Sequence, residues 1–257
     1  MAQRKSFFDS PLNIITGVTD EDYRREEARL APVLDVLSKI SSCGYYIVDY
    51  FKKDFLYVSP NIAYWCGIPA GKVKAMGVDE FINHAPQDDL ERLIELHNEW
   101  FKMLYVNSHV DCLKTSLIFD FRFRIAHKPP RMINHRVTPY ALKDGKLWLE
   151  MCVVTMSSEI SHGCVMMRKD DEDSYLEYSF RRHKWSIKEN TPLTETEFEI
   201  LLLSARGLTI EAIADEIGLK PDTVRKYRQV ILKKLNTTCF ASAALHSMNY
   251  NLLKIKS

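Results

Sequence analysis

The sequence predicts an α+β chain in two parts: an antiparallel sheet with helices over the first two-thirds, and an all-α, four-helix unit at the carboxyl end. Three observations predict it. Residues 117–125 alternate Leu117, Phe119, Phe121, Phe123 and Ile125 with Ile118, Asp120, Arg122 and Arg124, the period of a strand with one buried face. Residues 193–235 change to helical spacing, broken by short turns that contain glycine. At 257 residues, 46% apolar and 27% charged, the chain is long enough for two modest cores.

Taken in order, residues 20–42 read as a helix, with Tyr23, Leu30, Leu34 and Leu37 on an apolar side among charges. Strands follow at 45–49 and 55–59, joined by the polar turn Lys52-Lys53-Asp54. Short helical pieces are expected at 61–66 and 71–76, and a long helix at 87–106. Strands at 117–125, 132–140 and 147–156 complete the sheet, the last two joined through Lys143-Asp144-Gly145-Lys146. Residues 158–190 read as a connection with a hairpin, 163–168 and 175–180, across the acidic tip 169–173 and then Trp185. Thr191-Pro192 marks a boundary, because a residue before proline resists helix. The expected units are therefore 1–35, 36–157, 158–190 and 191–257.

The carboxyl-terminal unit carries the most chemical information. Phe198, Leu201, Leu202 and Ala205 form an apolar helix that ends at Arg206-Gly207-Leu208. Thr209 stands at an N-cap position, and Ile210, Ile213, Ala214 and Ile217 give a short helix its buried face. Gly218 frees the turn, and Pro221 suits the first turn of a third helix. Val224, Tyr227, Ile231 and Leu235 share one side of that helix, leaving Asp222, Arg225, Lys226, Gln229 and Lys233 on the other. From Lys220 to Leu235 the cations are Lys220, Arg225, Lys226, Arg228, Lys233 and Lys234, against the single acid Asp222, in a chain of net charge +1. This helix-turn-helix order with a concentrated basic face is the footprint of duplex DNA binding. A fourth helix is expected over 240–252.

Other classes find little support. Nucleotide-binding glycine patterns, paired zinc-binding histidines and a nucleophile elbow are missing from the sequence, so no catalytic residue and no enzyme activity are expected. The six cysteines, Cys43, Cys66, Cys112, Cys152, Cys164 and Cys239, are scattered, which argues against a metal site or disulfide framework. The alternation of strands and helices needed for a phospho-accepting receiver is missing. Neither a secretory signal nor a membrane-length apolar run is found, and a cytoplasmic location without membrane contact is expected.

Two resemblances follow from these residues. Leu193, Thr194, Glu197, Ile200, Leu201, Gly207, Ile213, Ala214, Leu219, Thr223, Val224, Ile231, Lys234 and Leu235 align without a gap to the LuxR/FixJ-type DNA-binding domain, which residues 193–248 resemble. That resemblance implies base contacts from Arg225, Lys226 and Gln229, and phosphate contacts from Thr209, Lys220, Thr223, Arg228 and Lys233. It also implies a homodimer on double-stranded DNA, with RNA polymerase as a further expected partner. Ala212, Gly218, Lys220 and Tyr227 depart from the usual family residues. Residues 36–157, through Ser59-Pro60-Asn61, Gly67 and the 81–89 stretch, are similar to a PAS domain, which implies a signal-sensing or dimerising role. The pocket implied by that likeness would be lined by Tyr46, Tyr57, Trp65, Phe119, Phe121, Met151 and Val153. No cofactor is expected, an unidentified small ligand being the open alternative. His84 reads as structural and His97 as the better haem candidate. Cys66, flanked by Trp65 and Gly67-Ile68, does not match the flavin-photosensor motif. A sensor acting through protein contacts alone is the alternative function.

Overall fold

The computed structural model describes residues 7–8, 10–106, 111–125, 128–159, 165–170, 172–189 and 192–250. Gly163, Cys164, Asp171, Thr191 and Leu252, each part of an expectation above, lie outside the described residues. Helix α1 (Asp20–Ile40) starts with a capping box, Thr19 Oγ1 accepting from the Asp22 amide while Asp22 accepts from the Thr19 amide. Then come β1 (Gly44–Asp49), β2 (Asp54–Val58), α2 (Ile62–Cys66), α3 (Ala70–Ile82) and α4 (Gln87–Val106). Strands β3 (Thr115–Phe123), β4 (Arg131–Lys143) and β5 (Lys146–Met156) follow.

Three further strands extend the sheet: β6 (Val165–Lys169), β7 (Ser174–Ser179) and β8 (Lys184–Glu189). The order is β2-β1-β5-β4-β3-β6-β7-β8, with every pairing antiparallel. The segment expected to be a connecting hairpin thus continues the sheet, because β6 pairs with the free edge of β3, Leu117 opposite Met167. Strand β8 was not anticipated; its sequence KWSIKE is too polar to stand out, and it pairs with β7 alone. Helix α3 runs past the predicted piece, broken at Gly77, where φ is 75°.

Alternation along the strands divides the core between two faces. On the front, Tyr46, Val48, Phe121, Val137 and Cys152 pack against Phe81, Leu96 and Trp100 of α3 and α4. On the back, Tyr45, Ile47, Trp148 and Leu149 pack against Tyr23, Leu30 and Leu34 of α1. Polar clasps tie these layers together. Tyr23 Oη donates to Asp49 Oδ2 at 2.6 Å, and Arg122 on β3 pairs with the fully buried carboxylate of Asp89 on α4.

The carboxyl-terminal unit has a separate core. Helices α5 (Glu195–Ala205), α6 (Ile210–Ile217), α7 (Pro221–Lys234) and α8 (Phe240–Asn249) enclose Ile200, Leu201, Ile213, Val224, Ile231 and Phe240. Thr194 and Glu197 form a second capping box at the start of α5. Gly218 ends α6 at φ 67°, left-handed geometry that favours glycine, and Pro221 then opens α7. No helix among the described residues is long and apolar enough to cross a membrane.

Candidate nucleic-acid interface and internal cavity

Helix α7 is anchored on its inner side by buried apolar residues. Val224 and Ile231, on its inner side, are fully enclosed by α5 and α6. Arg225, Lys226, Gln229 and Lys233 are consequently exposed on the opposite side, as is Lys220 at the N-cap. Arg225 forms an ion pair with Asp222 three residues earlier, a contact between exposed side chains that a phosphate or base can replace. Thr209 Oγ1 accepts from the Ala212 amide at 3.2 Å, so this hydroxyl caps α6 and keeps its proton available for donation. Thr223, in the first turn of α7, is half-buried.

Arg228, expected at a phosphate, also ties helices together. Its Nη1 donates to Ser204 Oγ on α5 at 3.1 Å, and its guanidinium lies 4.2 Å from the centre of the Phe240 ring. Its place on α7, between the inner and outer sides, turns it toward α5 and α8, so it joins three helices. Lys234 is likewise engaged, with Nζ 2.7 Å from Glu197 Oε2. Lys220, Lys226 and Lys233 remain as exposed lysines on the outer face.

The sheet domain encloses a small cavity of about 50 Å³ between its front face and helices α3 and α4. Tyr46, Phe119 and Phe121 line it, together with His97, His135, Glu150 and Phe7. Tyr57 and Met151 lie elsewhere, on the back face with α1, where Tyr57 Oη donates to Asp35 Oδ1 at 3.0 Å. Val153 shares that back face. Met151 and Val153 alternate with the wall residues Glu150 and Cys152, whereas Tyr57 is carried to the back with Ile47 because Leu56 is an extra residue of β2 between the pairs Ile47–Tyr57 and Val48–Phe55. Trp65 packs at the margin of the core, its Nε1 donating to the Ser42 carbonyl at 2.9 Å, and does not reach the cavity wall.

Three buried polar residues dominate the cavity chemically. Glu150 accepts from Trp100 Nε1 at 2.8 Å and Tyr50 Oη at 2.9 Å, yet burial raises its pKa to about 7. His97 Nε2 is 3.0 Å from the same Tyr50 hydroxyl, and the Phe7 ring stacks on its imidazole at 3.8 Å. His135 is buried, and among the described residues neither ring nitrogen has a hydrogen-bond partner. Burial lowers both histidines to a pKa of about 3, so both are neutral near pH 7. One usable signal was an acid inside the apolar run LWLEMCVV; His135 stands in an ordinary alternating strand and offers none. His84, by contrast, stacks on Phe123 at the edge of the domain, with Nδ1 3.2 Å from the Glu80 carbonyl. Among the described residues no cluster of three metal-ligating side chains is formed.

Comparison with known proteins gives the following. No curated protein matches the chain. Among solved structures, it is similar to a phage VqmA–DPO complex (13% identity, 90% of this chain and 91% of that one, TM-score 0.32). It is also similar to a VqmA–ligand–DNA complex from Vibrio cholera (12% identity, 88% and 90%, TM-score 0.34). A third likeness is to the amino-terminal domain of a diguanylate cyclase with PAS/PAC sensor from Marinobacter aquaeolei (16% identity, 44% and 94%, TM-score 0.32). Residues 191–247 match the family model of bacterial regulatory proteins, luxR family, and this carboxyl-terminal part of the chain is a luxR-type helix-turn-helix domain.

Proposed function

We propose that the chain is a sequence-specific transcription regulator that places α7 in the major groove and binds as two copies on adjacent half-sites. The observation that carries this reading is the outer face of α7, where Arg225, Lys226, Gln229 and Lys233 project from a helix fixed on its other side by Val224 and Ile231. Arg225 and Lys226 suit guanine O6 and N7, and Gln229 suits adenine N6 and N7. Lys220, Thr209, Thr223 and Lys233 supply phosphate contacts that fix register without reading sequence. The proposed output is altered access of RNA polymerase to the promoter.

The sheet domain is the sensory part in this reading. Its cavity presents neutral imidazoles and a carboxyl that burial makes easier to protonate among aromatic rings, an interior suited to a small uncharged molecule with one or two hydrogen-bonding groups. Selection of binding sites from random duplexes, followed by a salt titration of the best site, tests the regulator reading. The expected result is a clear preferred sequence and affinity that falls steeply with salt. Equal binding to selected and random duplexes would overturn it, and would favour a sensor that acts through protein contacts alone.

A further inference from the structure

The back of the sheet holds the end of α8. Tyr250, which follows that helix, is fully buried against Ile118 and Met166, and its hydroxyl donates to Asp120 Oδ2. Asn134 Nδ2 holds the other oxygen of Asp120 at 3.0 Å. Two arginines of the sheet close over the helix end: Arg136 donates to the carbonyl of Asn249, and Arg168 to that of Tyr250 at 3.0 Å. Cations belong at this end of a helix, where unpaired carbonyls concentrate negative charge. Asn249 adds two bonds to β5, to the Met156 carbonyl at 2.8 Å and Thr155 Oγ1 at 3.1 Å.

This contact is polar for its size. Its apolar part is Ile118, Met166 and Tyr250 with Tyr175 beside them, a cluster separate from the cores of both domains. Each hydrogen bond made here replaces bonds to water, so the net gain of each is far smaller than the bond itself. An interdomain contact of this kind can open without unfolding either domain. Its socket is also cut from the strands that wall the cavity: β4 turns His135 to the front and Asn134 and Arg136 to the back, and β3 turns Phe119 and Phe121 to the front and Asp120 to the back.

We propose that this socket is a latch, which fixes the angle between the helix-turn-helix domain and the sheet and is released by changes on the cavity side of β3 and β4. The proposal rests on the regulator reading above. Closed, it restricts how two copies of α7 are spaced; open, it lets each domain turn on its own. Ligand at the front of the sheet shifts the balance only by favouring one of these arrangements.

The test uses the full chain with Tyr250→Phe, which removes the Asp120 bond and keeps the ring, and with Arg136→Gln. Hydrogen exchange without DNA should be on the order of tenfold faster at the Asn249 and Tyr250 amides in both variants, with Ile200 and Ile213 unchanged. Phe121→Leu, on the cavity side, should speed the same two amides. On duplexes whose half-sites are moved apart by successive base pairs, the parent should lose affinity more steeply than either latch variant. Unchanged exchange in Arg136→Gln, which keeps the Tyr250 contacts, overturns the latch even where Tyr250→Phe fails to fold. Insensitivity to Phe121→Leu overturns release from the cavity, and equal spacing profiles overturn control of domain angle. Failure of the parent to bind DNA at all would instead sink the regulator reading, since exchange is measured in its absence.

Discussion

In the helix-turn-helix domain, Ile200, Ile213, Val224 and Ile231 fill the interior while charge is left outside on α7; the buried acid Glu197 is held by its cap and by Lys234. In the sheet domain the interior itself contains His97, His135 and Glu150, and among the described residues His135 has no partner for either nitrogen. The two regions therefore keep their chemistry in opposite places. A domain that reads a rigid polyanion needs only a firm apolar support and an exposed cationic face. A domain that responds to something small must enclose polar groups whose satisfaction depends on what enters, at a standing cost to its stability.

The contrast can be broken or sharpened by substitution. The largest effect is expected from Asp89→Ala, which leaves Arg122 without its buried partner. The loss should be about 3–5 kcal/mol in urea unfolding of the sheet domain, with the helix-turn-helix transition unmoved. A smaller loss would mean that Arg122 is served well enough by Asp88, its other carboxylate neighbour.

Next is Glu150→Gln. Because folding raises this carboxyl from about 4.5 to about 7, the stability it contributes is full below pH 4.5 and is lost as pH rises through 7. The parent should therefore lose about 3 kcal/mol relative to the non-titrating variant over that interval, with no further change above it. Parallel stability curves from pH 4 to 8 would show that the acid is not buried as described.

Arg225→Ala should relax preference at one base position by about 1–3 kcal/mol, whereas Lys233→Ala should weaken all duplexes alike and lower the salt slope by about one. Unaltered sequence preference in Arg225→Ala would remove it from the base-reading role. The smallest effect is expected from Thr209→Ala, about 1 kcal/mol of domain stability through the lost cap of α6.

Legibility differed between the same two regions. The helix-turn-helix was readable because its determinants are local: a cap at Thr209, a glycine at 218, a proline at 221 and an apolar register within a few turns. The five strands β1–β5 were readable from alternation and turns. What escaped depends on contacts distant in sequence. Whether Tyr57 faces the cavity or α1 is set by a one-residue bulge at Leu56 of β2, and whether β8 forms is set by β7 beside it. Unpaired nitrogens on His135 follow from what surrounds it in space, which no pattern along β4 records.

Arg228 has a consequence for how cationic helices are valued. Its guanidinium acts as mortar between α5 and α8, and the ammonium of Lys234 is already compensated by Glu197, so the two are drawn inward from the face that would displace ions condensed on a nucleic acid. A tally of positive residues along α7 therefore overstates how many sodium or potassium ions binding would release. The strength of this grip should depend on salt less steeply than the raw composition of the helix suggests.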